Sequence, residues 1–289
     1  MKRLILLGFA LTAGLVQANV TNGYRFVGYN IWGDFFNNPC PEREQPIAET
    51  LQALNPDVIG LQECCPNFWK SRLFERLGRD YAVVGREYVN RWGESCTTPV
   101  LYRRDRFRLC ECGYVGYCAE LDPSKGAAWA VLEDLVSHRR IAVFSTHFWW
   151  RSGRTDDWVR LDNAKRLQTA LAEVAARHQA ALVGGGDVNS LSDSSAMKFL
   201  LSCGWRDAQT SAPDRDPRPT CRSDPKRGAD GVWRGVLPET DPKAQTIDHV
   251  LYTPWTVRPR RFFLDSSERA LGNSDHLPLV FDFELAELD

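Results

Sequence analysis

The sequence predicts an α/β protein whose sheets are covered by helices. Three observations point there. Short apolar segments rich in Val, Ile, Leu and aromatics recur along the chain and alternate with stretches of helical periodicity. Hydrophobic residues at 43% and charged residues at 25% are the balance of a folded chain, which excludes a disordered one. Several apolar segments end on Asp, Glu, His or Asn, where an unpaired charge is costly unless the ends share one polar cleft.

Residues 1–18 stand apart from the rest. Lys2 and Arg3 precede an apolar run from Leu4 to Val16, and Val16-Gln17-Ala18 offers the small residues of a cleavage site. This is the pattern of a secretory signal removed after Ala18, which makes residues 19–289 the mature domain and its location secreted or periplasmic. The run is too short to span a bilayer comfortably, so no transmembrane segment is expected. Formal net charge is -1; losing Lys2 and Arg3 takes it to about -3, with no global attraction for polyanions. Nine cysteines suit an oxidising compartment. None forms a C-x-x-C pair, so disulfides are expected in place of structural zinc, with Cys110–Cys118 and Cys203–Cys221 as the expected pairings.

The elements follow in order. Residues 24–30 (YRFVGYN) read as a strand, and residues 43–54 as a helix with Ile47, Leu51 and Leu54 on one face. Residues 56–63 (PDVIGLQE) form a short buried strand ending at a carboxylate. Strands are predicted at 81–86, 99–103, 128–135 and 140–146, and residues 162–178, rich in Ala and Leu, give the clearest helix. A strand then runs into LVGGGDVNS (182–190), a helix covers 194–201, and strands return at 246–253 and 277–283. Residues 211–244, rich in Pro, Gly, Asp and Arg, form a long loop of the kind that is functional or disordered.

The strand ends carry the chemistry: Asn30, Glu63, His147, Asp187 with Asn189, Asp248, and Asp275-His276. If the backbone stays extended past the glycines, Asp187 and Asn189 point the same way; the alternative is an Asx-type turn after a buried strand. Carboxylates such as Glu63 suit Mg²⁺, which keeps waters and takes phosphate oxygens. Asp187 could orient or deprotonate a water, and His276 paired with Asp248 would be biased to its charged form. Asn30 and Asn189 would supply neutral donors. Together these groups meet the needs of phosphoester hydrolysis: an activated water, charge neutralisation and help for the leaving group.

The motifs N-I-W, L-Q-E, S-T-H, G-D-V-N, I-D-H and S-D-H, in this order and spread from Tyr24 to Phe283, resemble the endonuclease/exonuclease/phosphatase superfamily. The resemblance implies a DNase I-like four-layer α/β sandwich, with two central, mostly antiparallel sheets flanked by helices and a divalent-metal site at one edge. It implies a metal, Mg²⁺ or alternatively Mn²⁺, held by Glu63 with Asn30 and Asp275. It also implies Asp187 and Asn189 at the nucleophilic water, Asp248 orienting His276 against the phosphate, and His147 contacting the phosphate or leaving group. His249 departs from the aromatic residue that the family often has after this Asp.

The implied substrate is a phosphoester: nucleic acid, a phospholipid head group, or a sugar or inositol phosphate. No protein partner is implied. GYNIWG and TIDHVLYT are similar to neutral sphingomyelinases, although no long apolar hairpin for membrane insertion is visible; a nuclease would lack a pronounced basic stripe. A binding protein on a degenerate scaffold is disfavoured because every polar residue of the set is present. Phe148, Trp149 and Trp150 offer an aromatic shelf or a packed junction, and Trp149 and Trp150 are not expected both to be buried. The basic clusters at 103–108 and 258–261 are read as solvated surface, as are His138 and His178. SKGAAWA (124–130) is no P-loop, though its Lys125 could face phosphate.

Overall fold

A computed structural model describes residues 23–38, 40–118 and 120–287. The expected signal at residues 1–18 lies outside them. In chain order the elements are β1 (Gly23–Asn30), α1 (Glu44–Leu54), β2 (Val58–Gln62), α2 (Pro66–Lys70), α3 (Leu73–Leu77), β3 (Tyr81–Val84), β4 (Val100–Arg103) and β5 (Phe107–Gly116). Next come β6 (Gly126–Asp134), β7 (Arg140–His147), α4 (Arg154–His178), β8 (Ala181–Asp187), α5 (Ser195–Ser202), β9 (Arg206–Asp207) and α6 (Ala208–Ser211). The rest are β10 (Asp214–Arg215), β11 (Lys226–Arg227), β12 (Trp233–Arg234), β13 (Asp248–Tyr252), β14 (Val257–Leu264), α7 (Glu268–Asn273) and β15 (Leu279–Leu285).

Two mixed, mostly antiparallel sheets carry the fold. One has the order β10-β14-β15-β1-β2-β4-β3 and the other β5-β6-β7-β8-β13-β9. Strand alternation divides their side chains among three cores. Tyr24 and Phe26 of β1 and Ile141 and Val143 of β7 fill the space between the sheets. Val27 and Tyr29 face Ile47 and Leu51 of α1 on one outer side. Ala142 and Phe144 face Leu167 and Leu171 of α4 on the other. Helix, sheet, sheet, helix is the predicted four-layer sandwich.

Several predicted elements change length. Helix α4 begins at Arg154, eight residues before the predicted start. Its first turns lack an apolar stripe, and they are held by Asp156 and Asp157 at the positive end of the helix dipole and by buried Arg160, which donates to the Trp149 and Arg151 carbonyls. Strands β5 and β14 are not among the predicted elements; only the basic clusters at 103–108 and 258–261, read as solvated surface, overlap them. β5 is an edge strand with a bulge between Leu109 and Glu111, and β14 bulges between Pro259 and Arg261, which breaks the period of two in both. The basic clusters are largely paired on the surface: Arg103 with Asp105, Arg108 with Glu133, Arg260 with Glu284 and Arg261 with Asp214. His138 is exposed, whereas His178 is half-buried against Glu111.

No two cysteines are bonded in the structure, and neither expected pairing is geometrically available. Cys110 lies within β5 and Cys118 two residues beyond its far end; at about 3.3 Å per strand residue that separation exceeds disulfide reach. Cys203 packs beside Leu182 and Trp255 near the start of β8, whereas Cys221 bridges to His276 near its end.

Candidate active site

Sheet pairing gathers the polar residues at one end of the sandwich. His147 closes β7, Asp187 closes β8 and Asp248 opens β13; these strands are neighbours, and Asp187 is in register with both His147 and Asp248. On the facing sheet Asn30 ends β1 opposite Gln62, the residue before Glu63. His276 enters from the segment before β15, whose Ser274 hydroxyl donates to the Asn30 carbonyl at 2.7 Å. Asn30, His147, Asp187, Asp248 and His276 are buried, while Glu63, Asn189 and Asp275 are half-buried.

Backbone conformation aims several of these groups. Glu63 has φ 58° and Asn189 φ 50°, both left-handed. For Glu63 this is a strained conformation held by its surroundings: its carboxylate accepts the Gly33 N–H at 2.8 Å, and a Cβ on Gly33 would lie 2.6 Å from the Glu63 carbonyl. Gly186, at φ 143°, lets β8 pass the Gln62 side chain; a Cβ there would sit 2.3 Å from the Thr146 carbonyl. The strand ends at Asp187, so simple alternation does not place Asn189. Instead Asp187 Oδ1 accepts the Asn189 N–H at 2.9 Å, which is the Asx turn, and Asn189 Nδ2 donates to the Phe148 carbonyl at 3.3 Å. Turn former and site residue are one group.

Asn30 is the hub. Its Oδ1 accepts the Trp32 N–H at 3.0 Å, which fixes the amide orientation. Its Nδ2 therefore faces Asp187 Oδ2 at 3.0 Å, Glu63 Oε1 at 3.2 Å and His276 Nε2 at 3.4 Å. In this arrangement Asn30 presents a donor to the carboxylates, with its oxygen already engaged.

His276 Nδ1 lies 2.9 and 2.8 Å from the two oxygens of Asp248. Asp248 is itself held by the Thr220 hydroxyl, 2.6 Å from Oδ2. Burial opposes charging of His276, but the surrounding groups, Asp248 foremost and then Cys221 and Asp275, together outweigh it and raise the imidazole well above its usual range. His147 is the opposite case. Burial, then the charges of Lys125 and His276, push it well below its usual range. Lys125 Nζ lies against both ring nitrogens of His147, 3.2 Å from Nδ1 and 3.1 Å from Nε2, and His147 Nε2 also lies 3.3 Å from Asp187 Oδ2. A neutral ring can accept from Lys125 at Nδ1 and donate to Asp187 from Nε2.

Burial, with the Asp248 charge, raises Asp187 to about 7. Burial and the Glu63 charge raise Asp275 to about 6. Glu63, His147 and Asp187 offer ligand atoms within 4.8 Å of one another, as do Asp187, Asp248 and His276, and also Cys221, Asp275 and His276. Hard oxygen donors dominate, and crowded, reluctantly ionised carboxylates are what a divalent cation relieves.

Beyond the predicted set, the site is lined or braced by Lys125, Thr220, Asp207 and Cys221. Lys125 precedes β6 and faces His147 only because β6 and β7 pair Gly126 with His147. Thr220 and Cys221 belong to the long 211–244 loop, which folds back against Asp248 and His276. The departure at His249 is also accounted for: its Nδ1 meets Asp207 at 2.7 Å and its Nε2 the Ser190 carbonyl at 2.9 Å. Of the aromatic run, Trp149 is buried and donates to Asp156 at 2.6 Å, while Trp150 is exposed.

A double-sheet sandwich that gathers carboxylates, an amide and two imidazoles of opposite protonation tendency at one edge defines a metal-dependent phosphoesterase. The chain belongs to the endonuclease/exonuclease/phosphatase family, whose profile matches residues 27–276. Among solved structures, the human Nocturnin catalytic domain with bound sulfate is similar at 20% identity and TM-score 0.69, covering 92% of this chain and 95% of that one. A mannosyl-6-phosphatase from Bacteroides thetaiotaomicron is similar at 19% identity and TM-score 0.66, covering 91% and 100%. D. rerio TDP2 complexed with a single-strand DNA product is similar at 16% identity and TM-score 0.65, covering 91% and 99%. At these identities the likeness establishes the fold. No curated protein matches the sequence.

Proposed function

We propose that the protein is an exported, Mg²⁺-dependent hydrolase that cleaves a phosphoester by attack of water. One observation carries this reading: a single amide, Asn30 Nδ2, touches both Glu63 and Asp187. The carboxylate suited to a cation and the carboxylate suited to a proton are thereby fixed in one network. Glu63 and Asp275 would hold Mg²⁺, or alternatively Mn²⁺, with Asn30 fixing the Glu63 carboxylate. A bound divalent ion supplies charge neutralisation on the phosphate and a more acidic water.

The chain's own groups do the rest. Asp187, raised to about 7 by burial and the Asp248 charge, is poised to take a proton from water near neutral pH. His276, kept charged by Asp248, donates to a phosphate oxygen, and Thr220 keeps the Asp248 carboxylate in place. His147, neutral and held between Lys125 and Asp187, would contact the phosphate or leaving group, with Lys125 adding positive charge. Asn189, tied to Asp187 through its backbone N–H, would help orient the attacking water. Export rests on residues 1–18 and the cysteine content.

For the substrate, the neighbours' names span a sugar phosphate and a DNA product. The basic clusters at 103–108 and 258–261 are largely ion-paired, which disfavours them as a track for long nucleic acids. A second reading, a sphingomyelinase-like phospholipid phosphodiesterase, is favoured by exposed Val89, Trp92, Leu121, Trp150 and Trp158, all on segments rooted at the site end of the sheets. Among the described residues no helix is long and apolar enough to cross a membrane. The test is a panel of plasmid DNA, RNA, sphingomyelin vesicles, inositol phosphates and sugar phosphates, each with Mg²⁺ or EDTA. Turnover that EDTA abolishes is expected on one class; metal-independent turnover, or none on any class, defeats the proposal.

A further inference from the structure

We propose that Cys40 and Cys65 form a disulfide that fastens the segment after β1 onto the turn bearing Glu63. Their sulfurs are 3.5 Å apart and both residues are fully buried. Among the described residues no other two thiols are hydrogen-bonded to each other. A disulfide needs about 2.05 Å between sulfurs, so these two, already in contact, have about 1.5 Å left to close.

The two segments are already packed together. The Asp34 N–H lies 3.5 Å from Cys65 Sγ, the Gly33 N–H donates to Glu63 Oε2, and Asn38 Nδ2 donates to the Gly33 carbonyl at 3.0 Å. The Cys65 N–H reaches the Glu63 carbonyl at 2.7 Å. The bond would span 25 residues of sequence separation, removing freedom from the open chain, and would hold the Gly33 donor against the Glu63 carboxylate.

In the reaction each thiol gives up one proton and one electron as the S–S bond forms. The oxidant is a disulfide, of a protein oxidase or glutathione, which is cleaved to two thiols. Because both sulfurs are buried, exchange takes place while the chain is still open. The reaction in the cell rests on the export reading; the pairing rests on geometry alone.

The experiment separates the two. Protein isolated from an oxidising compartment, and protein refolded with oxidised glutathione, are thiol-blocked and digested with trypsin without reduction. The peptides of residues 26–43 and 44–70 should travel as one species two hydrogens lighter than their sum. Dithiothreitol should separate them, and fragmentation between Cys64 and Cys65 should place the link on Cys65. Cys40→Ser should lose the species and Cys64→Ser keep it. Linkage only after refolding sustains the pairing and overturns its formation in the cell. Separate peptides from both preparations, or a link on Cys64, overturn the pairing. As a second readout, dithiothreitol should weaken Mn²⁺ binding on the order of tenfold in the wild type, the scale for loosening a ligand's support, and leave Cys40→Ser unchanged. Equal effects on both proteins overturn the fastening of Glu63.

Discussion

Removing the Asp248 charge should act almost wholly through His276. The carboxylate lies 2.8 Å from Nδ1 with both groups buried, and it accepts one further hydrogen bond, from the Thr220 hydroxyl. Taking the two charge centres as about 4 Å apart at an effective dielectric near 20, the attraction is about 4 kcal/mol, which helps hold the imidazole well above its usual range. An asparagine at 248 can keep the Thr220 contact through one end of its amide. It cannot hold the ring charged, so a histidine that carries a proton near neutral pH should lose it there. Asp248→Asn should lower kcat by about 10²-fold at neutral pH, and part of the loss should return on acidification. His276→Ala should cost as much without recovery in acid. The assay is a double-mutant cycle on a small chromogenic phosphodiester from pH 5 to 9, with circular dichroism as the check on folding. Because the two groups form one unit, the double variant should be little worse than His276→Ala alone. Full multiplication of the two single effects in a folded double variant would refute the coupling.

Other outcomes follow from the same geometry. Lys125→Met should raise the His147 pKa, since only burial depresses that ring more strongly than Lys125 does; an unchanged titration in NMR would remove the lysine from this role. Trp149→Ala should destabilise the fold by about 3–5 kcal/mol in denaturant unfolding, as a buried indole bonded to Asp156. Trp150→Ala should leave stability alone and, if the exposed ring stacks on substrate, raise KM on the true substrate more than on a small chromogenic one. Both nitrogens of His249 face acceptors, and although burial opposes the charge, Asp207 and the Ser190 carbonyl raise its pKa above the unfolded value. The stability it contributes is present below the unfolded pKa of about 6.5 and lost as pH rises through the raised folded value. The stability difference between wild type and His249→Leu should therefore shrink with increasing pH; a constant difference means that the ring is held neutral.

The strand ends were legible because buried strands announce themselves by apolar runs, and a polar terminus on such a run is visible without a structure. Asn30, Glu63, His147, Asp187, Asp248 and His276 were all found that way, and pairing brings them together. Contacts that depend on which strands are neighbours left no such signal. Lys125 meets His147 across the β6–β7 pair, and Thr220 reaches Asp248 from 28 residues away. Cysteine pairing failed for the same reason. Sequence proximity suggested Cys110 with Cys118, but an extended strand between them drives them apart, while Cys40 and Cys65 meet because β1 and β2 run parallel and deliver their following loops to one place. Asn189 shows a subtler limit. Its position was expected from strand alternation, yet a left-handed residue in an Asx turn sets it.

The most direct test is Mg²⁺ titration of wild type and Glu63→Gln after EDTA treatment, following metal binding by calorimetry and turnover on the same samples. A carboxylate gives way to a weaker neutral ligand for a hard cation, so both the affinity for Mg²⁺ and the activity at limiting Mg²⁺ should fall together. Wild-type activity in the Glu63→Gln protein at limiting Mg²⁺, or undiminished wild-type turnover after complete metal removal, would contradict the account.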